Sequence, residues 1–252
     1  MKLVVVAAVA VTLLWSTAAR AAEPFVYTDS IARGQTLDIH DLNGDVSVVQ
    51  GDRLEVRATK TARRGNADDV KIVTRRVPSG ILVCVQYPGD DANCDRSGSH
   101  HTSGDDNDTR VDFSVRVPSG VNVTVASVNG TVDVHSDALV SARTVNGRLN
   151  VDAADVTRAT SVNGSIDVHI RNVASAAPLR ISTVNGSVTC TVPQSVGLNV
   201  HASVLNGSIE AGGLNVNRPQ YGPGASADGT LGDGRRHLDL RALNGSIRLV
   251  RS

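Results

Sequence analysis

The sequence predicts an all-β chain: a β-solenoid, single-stranded and β-helix-like, built of stacked Asn-Gly-cornered repeats behind a less regular N-terminal β region. Three observations predict it. The first is a twelve-residue phrase that recurs seven times. With Asn as position 0, it is apolar at −6, −4 and −1, then Asn-Gly, then usually Ser or Thr, then apolar at +3 and +5. Its corners are Asn43-Gly44, Asn129-Gly130, Asn146-Gly147, Asn163-Gly164, Asn185-Gly186, Asn206-Gly207 and Asn244-Gly245. Self-similarity at a near-fixed spacing marks a repeat architecture. The second is composition. Of 25 acidic residues only Glu23, Glu55 and Glu210 are Glu, and of 25 basic residues only Lys2, Lys60 and Lys71 are Lys. The good charged helix formers are thus nearly absent, while Val, Thr, Ser, Asn and Gly dominate. The third is period-2 alternation of apolar and polar residues in short runs.

The elements follow in order. Residues 1–21 read as a secretory signal peptide: Lys2, an apolar run from Leu3 to Leu14, and Ala19-Arg20-Ala21 as a cleavage site. That run is too short for a membrane span, and no later stretch could cross a bilayer after cleavage. Residues 22–120 form the N-terminal β region. Its alternating runs are Thr36–His40, Asp45–Val49, Leu54–Lys60, Val70–Arg75, Ile81–Val85 and Val111–Val117. Val-Pro-Ser-Gly at 77–80 and 117–120 leads each time into a strand. Cys84 and Cys94 flank the turn-rich Tyr87-Pro88-Gly89-Asp90-Asp91 and can close a loop as a disulfide, the alternative being three free thiols. Cys190 falls in the +5 column, otherwise Val, Ala or Leu, and is expected to be a buried small hydrophobe. Residues 121–252 hold the regular repeats, continuous with the first region as one domain.

Asn-Gly is also the strongest short hairpin signal. A two-residue hairpin would oppose Val128 to Thr131 and Ser127 to Val132, apolar against polar in copy after copy. Stacking whole repeats instead places Val on Val and Asn on Asn, burying an apolar core and aligning the amides into a ladder. Asn163 and Gly164 then sit mid-stack, with Gly164 at positive φ, and Asn244 sits near the end. The stretch between Asn206 and Asn244 contains Gly212-Gly213 and Tyr221-Gly222-Pro223-Gly224 and reads as a surface loop or an irregular coil.

Val117-Pro118-Ser119-Gly120-Val121-Asn122-Val123, the recurring [VL]-N-G-[ST]-[VI]-x-V and a cysteine pair around Y-P-G-D after a signal peptide are together similar to a bacterial family. Its members, called putative adhesins, are exported β-strand-repeat proteins with a domain of unknown function. The resemblance covers most of Leu37 to Leu249. It implies an exported envelope protein with a β-solenoid-like fold, and it carries over no catalytic residue.

Candidate chemistry lies in the outward columns. His135, Asp152 and His169 at +6 and Asp133, Asn150 and Asp167 at +4 fall on three consecutive coils, about 4.8 Å apart. The two His and Asp152 could hold a divalent metal, although polar outward columns also simply keep a solenoid soluble. The acidic loop with His100, His101, Asp105, Asp106 and Asp108 offers oxygen donors to calcium but lacks EF-hand spacing. No catalytic motif is present, and five aromatics outside the leader leave little to stack on sugars. Zero net charge gives no sign of a nucleic-acid partner. The reading is a non-enzymatic exported protein, periplasmic or cell-surface associated, needing no cofactor and serving as an adhesin-like scaffold or binding surface for an unknown envelope or surface partner. The alternatives are a carbohydrate-active β-helix enzyme and a metal-binding periplasmic module.

Overall fold

The computed structural model describes residues 24–89, 94, 107–172 and 177–252. The expected signal peptide and the His100, His101, Asp105 and Asp106 donors therefore lie outside the described residues. The described chain is all-β, with one three-residue 3-10 turn at Ala67–Asp69. Its strands form one hydrogen-bonded system with two faces, one leading into the Asn-Gly corners and one leaving them.

The pre-corner face runs β5 (Lys71–Val77), β6 (Gly80–Gln86), β2 (Thr36–His40), β8 (Asn122–Ala126), then the second halves of β9 (Val132–Arg143) and β10 (Leu149–Asn163). It continues through β12 (Leu179–Asn185) and the first halves of β17 (Arg236–Arg251) and β14 (Leu198–Ala211) to β16 (Ala225–Leu231). The post-corner face runs β1 (Phe25–Asp29), β4 (Leu54–Ala62), β7 (Thr109–Val117) and β3 (Val46–Gln50). It continues through the first halves of β9 and β10, then β11 (Ile166–Ile170), β13 (Val188–Val192) and the second halves of β17 and β14. From β2 through β14 the pre-corner pairings are parallel, as repeats stacked in one direction require.

The core lies between the two faces. Side chains at −6, −4, +3 and +5 point inward: Leu179, Ile181, Val188 and Cys190 in one coil, Leu238, Leu240, Ile247 and Leu249 in another, all at most 3% exposed. Thin β-branched and leucine side chains fill this layer because each stacks on another apolar side chain one coil away, and a fully buried Val, Leu or Ile contributes about 1.5–3 kcal/mol. Cys190 is the one free cysteine among the described residues, fully buried as its column dictates, while Cys84 and Cys94 are joined in a disulfide.

Four expectations are corrected here. First, the −1 residues do not join the core. Period-2 alternation from −6 and −4 sends −2 inward and −1 outward, so Val145, Val162, Val184, Leu243 and Leu205 are 37–45% exposed. The inward −2 column is instead a buried polar row of Asp41, Ser127, Thr144, Ser161 and Thr183. Second, Asn244 is not the corner that lacks a neighbour. β17 wedges between β12 and β14 in register, so the corners stack in the order 185, 244, 206. Third, Gly164 is not among the glycines at positive φ. What bars a side chain there is the next coil, since a Cβ would overlap the carbonyl oxygen of Gly147. Fourth, of the two readings of the stretch before β17, surface loop or irregular coil, the loop is set aside, because β16 pairs antiparallel along β14 and β15 (Val216–Asn217) adds to it.

Candidate functional site

The corners place two outward rows side by side. In the first, Asn146 Nδ2 donates to Asn129 Oδ1 at 2.9 Å, Asn163 to Asn146 at 2.8 Å and Asn185 to Asn163 at 2.7 Å. Asn244 then donates to Asn185 at 2.7 Å, and Asn206 to Asn244 at 2.8 Å. The amides of Asn146, Asn163, Asn185 and Asn244 each use an N–H as donor and the oxygen as acceptor, so a row of identical side chains satisfies itself at the strand spacing. Asn43 departs from the row and turns its amide to Asp108 and Thr109. The backbone repeats the pattern: Gly130 N–H bonds Asn146 O and Gly147 N–H bonds Asn163 O.

The second row is the exposed −1 column. Leu42 and Val128 are half-buried at one end, followed by Val145, Val162, Val184, Leu243 and Leu205. Scattered apolar residues on a surface need no explanation, but here they form a contiguous line beside a polar ladder. The sequence carries its signal, because the alternation from −4 fixes the direction of −1.

The six outward residues of the post-corner face also come together. Asp133, Asn150 and Asp167 are in register, as are His135, Asp152 and His169. Asn150 donates to Asp133 at 2.6 Å. His169 Nδ1 lies 3.6 Å from Asp152 Oδ2, and His135 Nδ1 lies 4.0 Å from the same oxygen. The other Asp152 oxygen is held by Arg171, which also bonds Ser136 O at 2.6 Å. A guanidinium in that position neutralises the carboxylate a metal would need. Among the described residues no group of three His, Cys, Asp or Glu side chains is placed to hold a metal ion.

Inside the corners the polar −2 row is only partly satisfied. Thr183 bonds Gly164 O at 2.9 Å and Ser161 bonds Gly147 O at 3.3 Å. The Ser127 and Thr144 hydroxyls and both Asp41 carboxylate oxygens reach no hydrogen-bond partner of good geometry. Burial pushes the Asp41 carboxyl up to about 7, against the opposing pull of the Leu42 and Asn43 N–H groups. Burial likewise pushes the Cys190 thiol up to about 12, so it is no nucleophile.

No family model matches the sequence, and no curated protein does. Solved structures similar to the chain are described as adhesins. One is a putative cell adhesion protein from Clostridium sporogenes, 13% identical, covering 91% of this chain and 100% of that one at a TM-score of 0.49. A putative adhesin from Bacteroides fragilis is 10% identical, covering 90% and 97% at 0.29. Another from Parabacteroides distasonis is 13% identical, covering 90% and 97% at 0.25. At these scores the likeness establishes neither a shared fold nor a shared activity.

Proposed function

We propose that this chain is a non-enzymatic, exported envelope protein, a β-solenoid in one continuous domain whose corner edge binds a partner, as an adhesin-like scaffold would. The observation that carries this reading is the exposed −1 row, five Val and Leu side chains in line with the Asn ladder along one edge. A rigid repeat scaffold holds such a row without ordering cost at the moment of binding, which favours recognition by an extended surface. The disulfide at Cys84–Cys94 suits an oxidising compartment. Two of the three buried carboxylates among the described residues are held in ion pairs, Asp155 with Arg236 and Glu55 with Arg57 and Arg53, which supports a structural role for them.

The test uses the mature chain, labelled with a fluorophore and added to isolated envelope vesicles. The wild-type chain sediments with the vesicles. A chain carrying Val145→Ser, Val162→Ser and Val184→Ser keeps its melting temperature, since these side chains face solvent, but stays in the supernatant. Equal sedimentation of the two chains, or none by either, removes the basis for the proposal.

A further inference from the structure

The polar −2 column runs through Asp41, Ser127, Thr144, Ser161 and Thr183, one residue from each of five adjacent coils, all 3–5% exposed. Where the column is satisfied, its pattern is plain. Thr183 Oγ1 donates to Gly164 O and Ser161 Oγ to Gly147 O, each time the carbonyl of the corner glycine one coil before. The equivalent carbonyl is Gly130 O for Thr144, Gly44 O for Ser127 and Val111 O for Asp41, since each of these oxygens lies against the next corner glycine. Ser127 and Thr144 do not make that bond, and neither oxygen of Asp41 has a hydrogen-bond partner of good geometry.

Asp41 cannot follow the pattern. A hydroxyl brings a proton to the carbonyl, whereas an ionised carboxylate brings only acceptor oxygens. Asp41 therefore sets negative oxygen toward Val111 O, with the Ser127 hydroxyl and Gly44 O one coil further on. No side-chain cation is free to balance it. The charges that act on it most are Asp112, which opposes it, and Arg110, whose guanidinium is held by Asp112 at 2.8 Å and Asp45 at 2.5 Å. The Leu42 and Asn43 N–H groups pull on the carboxylate but do not reach it in good geometry. A buried charge left in this way is costly.

We propose that the first step of this column is a site for a monovalent alkali cation, held by the Asp41 carboxylate, the Ser127 hydroxyl and the carbonyl oxygens of Val111 and Gly44. Hard cations take oxygen ligands, and every group here offers oxygen. Stacked coils lie about 4.8 Å apart, so an ion midway between Asp41 and Ser127 is about 2.4 Å from each, a bonding distance for a hard cation at oxygen. One carboxylate among neutral oxygens balances one positive charge. A divalent ion would leave a net charge in the core. The outward His135, Asp152 and His169 differ in this respect, because Arg171 already holds the Asp152 carboxylate. The cation site lies inside the stack, and it does not rest on the role given to the corner edge.

The experiment is scanning calorimetry of the mature chain at about pH 8, with the carboxyl ionised, in sodium, potassium, calcium and tetramethylammonium chlorides at equal ionic strength. Tetramethylammonium is too large to enter and serves as the reference. Wild type melts about 3 °C higher in sodium or potassium than in the reference salt, and calcium adds nothing. Asp41→Asn keeps the shape of the side chain without its charge and melts alike in all four salts. Ser127→Ala keeps the carboxylate, loses one ligand and shows a reduced shift, while Val162→Ser on the corner edge keeps the whole of it. The assignment is overturned if wild type melts alike in all four salts, if Asp41→Asn retains the shift, or if calcium matches the alkali ions.

Discussion

Asp155 and Arg236 stand 81 residues apart and form an ion pair in which both side chains are at most 4% exposed. Asp155 sits where β10 bends from one face to the other, at a shift of register against β9. Arg236 opens β17 and adds bonds to Val156 O and Ala177 O. The pair thus ties the bend to the last coil. Truncating one partner leaves the other charged and buried, so Asp155→Ala is expected to cost about 3–5 kcal/mol in urea unfolding. Asp155→Leu with Arg236→Met should recover most of that loss. If the double variant is as unstable as the single, charge desolvation is not the cause. Asp41 makes a second prediction. Its folded pKa of about 7 lies above the ordinary carboxyl value of 3.8, so the folded state keeps a proton that the unfolded chain releases. That contribution to stability is complete below about pH 4, declines as pH rises, and is gone above about pH 7. It amounts to at most about 4 kcal/mol. Asp41→Asn should flatten the profile between these limits and raise the melting temperature at pH 8. A variant with the wild-type slope would assign the pH dependence to other groups.

The Asn-Gly corner is the element on which the stack turns, and its position in the stack decides its contribution. Asn163 both donates and accepts, Asn244 does the same, and Asn206 only donates. These amides are exposed, so each ladder bond is worth at most about 0.5–1.5 kcal/mol. Asn163→Ala and Asn244→Ala should therefore lower the melting temperature alike, and Asn206→Ala should lower it less. Gly164→Val should exceed all three, by about 1–3 kcal/mol or more, because its side chain must displace the Gly147 carbonyl. Differential scanning calorimetry checks the ranking, and an Asn244→Ala milder than Asn206→Ala would contradict the stacking order. The corner was legible in the sequence because its chemistry is local: Asn, Gly and the flanking alternation all lie within twelve residues. The direction of the −1 side chain was equally local. The strand period orients that side chain by parity, whatever its polarity. The Asp155–Arg236 pair was not legible, since it depends on which strands adjoin.

At the scale of the molecule, the order of coils is not the order of the chain. Asn206 and Asn244 head nearly identical phrases, and nothing within either phrase ranks one nearer to Asn185. The ranking comes from context. The strand that pairs antiparallel along β14, β16, occupies its outer edge and leaves its inner edge to β17. Removing residues 236–252 should therefore uncover β12 and β13 and strip β14 of its parallel neighbour. Loss of the buried Leu238, Leu240, Ile247 and Leu249 alone removes several kcal/mol, at about 1.5–3 kcal/mol per side chain. Hydrogen exchange should then speed up at Leu179–Asn185 and Val188–Val192, and unchanged protection there would show that the stack closes without its last coil. The wedge also sets a timetable. As the chain is made from its N-terminus, the coil at Asn206 is available before β17 exists, and it presents the same corner to Asn185. A nascent chain can stack these coils in the order of their synthesis, and the final sixteen residues of strand must then part them. Whenever β17 is out of place, the parallel edges of β12 and β13 lose the partner they have in the folded chain, and an unpaired edge can take up any strand that reaches it first.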